Sequence, residues 1–265
     1  MMIFADLDLA RRLERCEAMA NAAIVEARAR LNPESGAAVL EHAGAWAFFD
    51  GVGSLLTQTF GFGMYAEATA ADLERLERFL TDRGAEAFHE VSPLAGVEAL
   101  QLLAARAYKP VELTSVMFRE IGDEFSEETL VRTRIASGPE DVELWADTAA
   151  EGWSEFGFGP IVRELSHVTA SSERTSPFFA EIDGRAIATG ALVISGGVAL
   201  LAGASTIPSA RKQGAQRALL EARLRHAKEQ GCDLAMMCAA PGSTSQRNAE
   251  RQGFRIAYTR IKWGR

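Results

Sequence analysis

The sequence predicts an α/β protein built from two domains, and three observations carry that prediction. Helix-period and strand-period segments alternate along all 265 residues. Glycine-containing dipeptides such as Asp50-Gly51 and Asp183-Gly184 separate strand-like runs as hairpin turns do. A helix–glycine–strand–helix–strand unit also occurs twice, Leu80–Pro93 paralleling Ala227–Pro241 and Ala104–Pro110 paralleling Ala249–Ile256. The expected organisation is a domain over residues 1–122, a polar linker over 123–130 and a second domain over 131–265.

Each element has a local reason. Leu13, Met19, Ile24 and Val25 form a helical stripe and predict a helix from Leu9 to Leu31. Ala37 to Phe49 and Ser54 to Met64 read as strands joined at Asp50-Gly51. A helix is expected after Thr69, where Thr-x-x-Asp72 resembles a capping box, ending at Gly84. Strand 85–91, helix 97–107 and strand 111–119 complete the first half. The second half runs in a similar order, with strand 131–135, a helix through Val142, Trp145 and Ala149, and a helix over 161–169. Strands 178–182, 185–194 and 198–206 follow, then helix 214–230, strand 232–239, helix 243–252 and strand 254–263.

Composition narrows the class. With 48% hydrophobic and 24% charged residues the chain is an ordinary globular protein. Its net charge is -8, and residues 1–122, with 11 basic and 18 acidic side chains, carry -7 of it, which disfavours nucleic acid as a partner. Cys16, Cys232 and Cys238 are odd in number and, like the four histidines, scattered, so a reducing compartment and no metal are expected. Acids near the N-terminus oppose a signal peptide. The uncharged run Gly190–Ser205 is too short to span a bilayer and is split by Ser195-Gly196-Gly197. A cytoplasmic protein without a membrane partner is expected.

The informative stretch runs from Gly203 through Pro208, Arg211, Lys212, Gln213, Gly214, Ala215, Gln216 and Arg217 into a helix with apolar Ala218, Leu219, Ala222 and Leu224. A strand that turns into a glycine-opened helix makes an anion site. The first turn has amide groups without intrahelical partners, and the macrodipole adds partial positive charge. Arg211, Lys212 and Arg217 would reinforce it with charge-assisted contacts. Neither a Walker loop nor the dinucleotide fingerprint is present at this turn.

Arg211-x-x-Gly214-x-Gln216, followed by Arg217-Ala218-Leu219-Leu220, resembles the Arg/Gln-x-x-Gly-x-Gly/Ala signature of the GNAT superfamily of N-acetyltransferases. The strand pair around Asp183-Gly184, the strand Val198–Ile207 and the closing Ser245-Gln-Arg-Asn248-Ala-Glu-Arg-Gln-Gly253-Phe254 resemble the rest of that domain in order. The resemblance covers about half the chain. It implies an α/β fold with two domains of this type, each a mostly antiparallel mixed sheet flanked by helices. It also implies acetyl-CoA as cosubstrate, its pyrophosphate in the 211–217 loop and its pantetheine arm along 198–207. Gln216 departs from the usual Gly or Ala, and its side chain either crowds the phosphates or lies aside.

The implied reaction is direct attack by a primary amine of a small molecule or peptide on the thioester. Backbone amides of Ser205, Thr206 and Ile207 would stabilise the oxyanion. The Tyr that supplies the acid in many relatives falls at Ala249 here. Tyr258, Ser243, Ser245 and Glu181 are the substitute acids or bases, and Asn248 is a candidate partner of the pantetheine arm. Cys238, in an Ala-Met-Met-Cys-Ala-Ala run, reads as a buried small hydrophobe rather than an acyl carrier. The missing Tyr also leaves a different class of function open, a non-catalytic CoA-binding sensor or scaffold.

Aligning Gly84 with Gly231 places Met64, Glu67 and Thr69 at the positions of Arg211, Gly214 and Gln216. The first half then has a carboxylate where the phosphate belongs, and resembles a degenerate domain of a tandem protein. Gly61-Phe-Gly63-Met-Tyr-Ala66 fits a dinucleotide pattern, but the helix is expected only after Thr69. The aromatic residues Trp46, Phe48, Phe49, Phe60, Phe62 and Tyr65 read as core or as a wall of an acceptor pocket, and Trp153, Phe156 and Phe158 as an apolar rim.

Overall fold

A computed structural model describes residues 3–123 and 131–265. The expected linker over 123–130 lies outside the described residues except for Asp123. The chain forms two compact units: residues 1–119 with 236–265, and residues 120–235. This differs from the expected 1–122 and 131–265 division. The first break falls close to the expected place, but the last thirty residues join the first unit.

In the first unit, Asp6 caps helix α1 (Leu7–Leu31) by accepting from the Leu9 amide, a cap of about 1 kcal/mol. Strands β1 (Ala38–His42) and β2 (Ala45–Phe49) pair antiparallel with His42 opposite Ala45. The hairpin turn is therefore Ala43-Gly44, where both φ angles are positive as a tight primed turn requires. Asp50-Gly51, the expected turn, opens a longer connection over 50–57 from β2 to the antiparallel strand Gln58–Phe60, and Asp50 there accepts from Arg28 and Ser54. The expected strand over 54–64 shrinks to β3 (Gln58–Phe60). Helix α2 (Ala70–Thr81) begins with Thr69 accepting from the Asp72 amide, as expected. Strand β4 (His89–Val91), helix α3 (Val97–Ala105) and strand β5 (Lys109–Glu120) follow.

The unit is completed from the far end of the chain by helix α7 (Thr244–Arg251) and strand β11 (Arg255–Gly264). β11 pairs antiparallel with both β4 and β5, giving the order β1-β2-β3-β4-β11-β5. The aromatic residues assigned to core or pocket are core here: Trp46, Phe48 and Phe60 pack with Ala18, Ala22 and Val25 of α1, and Phe49 and Phe62 pack with Leu73, Leu76 and Leu80 of α2. The 61–66 segment is a turn after β3 that opens no helix. Gly63 serves packing, since a Cβ there would sit 3.1 Å from the Ala99 Cβ.

The second unit holds strand β6 (Arg132–Ile135), helices α4 (Pro139–Gly152) and α5 (Gly159–Ala170), and strands β7 (Thr175–Ile182), β8 (Arg185–Ser195) and β9 (Val198–Thr206). The four strands pair antiparallel in the order β6-β7-β8-β9. Pro139 at the first helical position and Glu140 and Asp141 in the first turn suit the start of α4. Helix α6 (Ala215–Glu229) packs on β7, β8 and β9, and the chain leaves the unit within β10 (Leu234–Ala239). The β8–β9 turn is Gly196-Gly197, both at positive φ.

Candidate active site

The loop between β9 and α6 is shaped by three backbone conditions. Ile207 makes the last ladder bond, its N–H donating to the Ile187 carbonyl at 3.0 Å. Pro208 has no N–H to continue the strand and begins a short 3-10 turn to Ala210. Lys212 and Gly214 then adopt positive φ, +65° and +87°. A Cβ on Gly214 would meet nothing within 4 Å, so its backbone conformation alone calls for glycine. Gly214 is the N-cap of α6, and no side chain caps this end. Its carbonyl accepts the Ala218 N–H, leaving the preceding amides at the positive end of the helix.

Arg211, Lys212, Gln213 and Arg217 are exposed around this turn, while Ala215 is buried beneath it. Arg211 is turned toward the end of α4: Nη1 donates to Glu155 Oε2 at 2.6 Å and Nη2 to the Gly152 carbonyl at 3.4 Å. Gln216 lies aside, its Nε2 donating to Thr206 Oγ1 at 2.7 Å and to the Ser205 carbonyl at 3.1 Å. The corresponding start in the first unit is different. Thr69 caps α2 with its hydroxyl, Asp72 stands in the first turn, and Met64, at the position matching Arg211, is buried.

Strand β9 carries a β-bulge beside the loop. Its register with β8 shifts between Ala202↔Ala191 and Ser205↔Thr189, so Gly203 and Ala204 stand opposite Gly190 alone. With Ile207 donating to Ile187 and Thr206 opposite Ala188, antiparallel alternation turns the Ser205 and Ile207 amides toward β8 and the Thr206 amide away. Of the three donors expected for the oxyanion, Ile207 is therefore committed to the ladder and Ser205 faces it; Thr206 alone points outward. Gly152, the last residue of α4, closes on this point: a Cβ there would lie 1.9 Å from Ser205 Oγ and 3.1 Å from the Thr206 nitrogen. Ser205 Oγ donates to the Ala149 carbonyl.

Two large side chains support the bulge from beneath. The Trp145 ring lies 3.4 Å from where a Gly203 Cβ would be, and its Nε1 donates to the Phe178 carbonyl. Arg223 on α6 is buried, with Nε donating to the Leu219 carbonyl and Nη1 to those of Ala191 (3.1 Å) and Ala202 (3.3 Å). Burial pushes its pKa down to about 10, so it stays charged at neutral pH. The sequence reading missed this residue. The signal was available: Ala215, Leu219, Arg223 and Ala227 form one i, i+4 ridge, and a cation on such a ridge is out of place.

Of the candidate acids and bases, Glu181 and Tyr258 are engaged by other side chains and Ser245 is exposed. Glu181, on β7, accepts from Arg134 Nε at 2.7 Å, and the same guanidinium holds Asp141 with both terminal nitrogens. That commits Glu181 to an ion pair and removes it as a free base. Ser245 and Asn248 are exposed on α7 in the first unit, where Asn248 Oδ1 accepts from Arg251 and Ser243 serves as the helix N-cap. Trp153, Phe156 and Phe158 are exposed after α4, with the first two rings 5.7 Å apart.

Tyr258 is buried on β11 and donates to Glu14 Oε1 at 2.8 Å; burial pushes its hydroxyl well above the usual range, so it stays protonated and committed to Glu14. It belongs to a buried cluster in which Arg260 bridges Glu14 (3.2 Å), Glu17 (2.8 Å) and Glu90 (3.1 Å). Burial raises the Glu14 and Glu90 pKa values against the pull of Arg260, whereas that pull lowers Glu17 despite its burial. Cys238 donates to Glu17 Oε2, and burial raises its thiol, in keeping with an inert side chain.

Among the described residues no group of His, Cys, Asp or Glu is placed to hold a metal, and no helix is long and apolar enough to cross a membrane. A model of the acetyltransferase (GNAT) family matches residues 142–254. No curated protein matches the chain. Among solved structures, it is similar to a GCN5-related N-acetyltransferase from Kribbella flavida, at 20% identity and TM-score 0.65, covering 92% of this chain and 95% of that one. It is also similar to a tandem GNAT protein from the clavulanic acid biosynthesis pathway, at 12% identity and TM-score 0.58 over 98% and 96%. A GCN5-related N-acetyltransferase from Sphaerobacter thermophilus shares 15% identity and TM-score 0.55 over 86% and 75%. At these identities the likeness is one of fold.

Proposed function

We propose, from the match of residues 142–254 to a model of the acetyltransferase (GNAT) family, that the second unit binds acetyl-CoA and transfers its acetyl group to a primary amine of a small molecule or peptide. The observation that carries this reading is the side-chain-free, glycine-opened start of α6 placed directly after the bulged end of β9. A pyrophosphate fits that start: amides and the helix dipole face it, and Lys212 and Arg217 are exposed beside it. Gln216 leaves the space open by folding onto β9.

Acetyl-CoA supplies an electrophilic thioester. The amine nitrogen forms a bond to the acetyl carbon, the carbonyl oxygen takes up negative charge, and the carbon–sulfur bond then breaks. The Thr206 amide, aimed away from β8, is the donor for that oxygen. One proton leaves the amine and one reaches the thiolate. With Tyr258 buried against Glu14 and Glu181 paired with Arg134, water is assigned both transfers in this reading. The first unit takes no acetyl-CoA in this proposal, since Thr69 and Asp72 occupy the positive end of α2. A second reading, a CoA-binding sensor or scaffold without turnover, is favoured by the same buried Tyr258 and by Ala249 in place of a phenol.

The test is calorimetric titration of acetyl-CoA into the full chain and into Gly214→Glu, which brings a carboxylate to the anion site. Binding that weakens at least tenfold, about 1.4 kcal/mol, supports the loop assignment. A folded wild-type chain that binds no acetyl-CoA overturns it. Thiol release from acetyl-CoA with a panel of primary amines then separates the two readings: release supports transfer, and binding without release supports the sensor.

A further inference from the structure

Arg223 is 3% exposed, and the acceptors it bonds among the described residues are backbone carbonyls rather than carboxylates. Burying a guanidinium without a counter-charge is costly, and arginine cannot escape by losing its proton at neutral pH. The carbonyls it bonds point to what the burial accomplishes. Ala191 and Ala202 are the last matched pair of the β8–β9 ladder before the register shift. One Nη1 donates to both of their carbonyls, one on each strand, where the bulge interrupts the regular ladder. Gly190, the single residue opposite the bulge, makes room for the clamp: a Cβ there would lie 2.9 Å from the Arg223 Cζ and Nη1. Beyond Ala202 and the bulge on β9 comes Thr206, the amide donor.

We propose that Arg223 is a positioning residue that clamps the Ala191 and Ala202 carbonyls across the β8–β9 bulge and thereby fixes the direction of the Thr206 amide toward the acyl carbonyl. The inference rests on the acetyl-CoA reading and adds to it a residue that touches neither substrate. A buried arginine kept only for packing would be replaceable by an apolar side chain of similar length without consequence for the amide. A clamp would not be.

The experiment compares the full wild-type chain with Arg223→Met, which keeps length but no donors, and Arg223→Lys, which keeps charge and one donor group. Two readouts are taken. Isotope-edited infrared spectroscopy of bound [1-13C]acetyl-CoA reports polarisation of the thioester carbonyl, alongside calorimetric affinity. Amide exchange at Ser205 and Ile207, without acetyl-CoA, reports the ladder next to the bulge. Wild type is expected to shift the carbonyl band to lower frequency. Arg223→Met is expected to bind acetyl-CoA within about threefold of wild type, lose most of that shift, and exchange the two amides at least tenfold faster. Arg223→Lys should restore part of both, and it carries the test if Arg223→Met does not fold. A full carbonyl shift in Arg223→Met, or unchanged exchange, overturns the clamp. A wild-type chain that binds no acetyl-CoA overturns the functional reading instead, and the exchange measurement still decides whether Arg223 holds the bulge.

Discussion

His89 offers a quantitative test of how the first unit is built. It lies fully buried on β4, with Nδ1 2.8 Å from Thr59 Oγ1, its ring edge-on to Tyr108 at 4.7 Å, and Nε2 buried without a partner. Burial, and secondarily the cations Arg265 and Arg106, push its pKa down to about 3 from an ordinary 6.5. The folded imidazole is therefore neutral, while the unfolded one takes up a proton as pH falls below 6.5. The stability it contributes is complete above that value and is lost as pH falls toward 3. The slope approaches about 1.4 kcal/mol per pH unit, giving a loss of about 1.4 kcal/mol at about pH 5.5 and about 2.7 kcal/mol at about pH 4.5. The perturbation is His89→Gln, which cannot titrate and keeps a polar partner for Thr59. Urea unfolding of both chains at about pH 8, 5.5 and 4.5 isolates the effect, because Glu14, Glu17 and Glu90 titrate in both. The wild-type advantage seen at the highest pH should shrink by those two amounts. An advantage that stays constant over this range refutes a buried neutral His89.

Three further outcomes are expected. Arg260→Met leaves Glu14, Glu17 and Glu90 without their shared cation, and should cost about 3–5 kcal/mol at neutral pH in denaturant unfolding, less in acid where carboxylates protonate. Gly152→Ala forces a Cβ toward Ser205 Oγ at 1.9 Å and should cost about 1–3 kcal/mol; the Gly152→Ala/Ser205→Ala double variant should recover at least half, and purely additive losses would argue against the contact. Gln216→Ala releases Ser205 and Thr206 and should leave acetyl-CoA affinity in calorimetry within about threefold, whereas a tenfold loss would mean that the Gln216 side chain itself holds the ligand.

Much of the fold was legible because it depends on chemistry within a few residues. Asp6, Thr69 and Ser243 cap helices by accepting from amides three positions ahead. Pro208 and Gly214 mark the loop through φ and a missing N–H, and Gly196-Gly197 is the hairpin that the run 190–205 required. The run 37–49, expected as one strand, shows the limit of such signals. It folds back at Ala43-Gly44 into β1 and β2, while Asp50-Gly51 opens the longer antiparallel connection from β2 to β3, in which Asp50 meets Arg28 on α1.

The amino-acid sequence by itself determined the order of helices and strands, the glycine-opened start of α6 and the lack of a phenol at position 249, since each follows from local backbone geometry or residue identity. Only the tertiary structure decided that β11 belongs between β4 and β5, that Tyr258 faces Glu14 across 244 positions of sequence, and that Arg223 joins two carbonyls beneath a bulge. Those choices are made by burial. A polar group removed from water must find its partner wherever the packed chain brings one, and no window of sequence contains both members of such a pair.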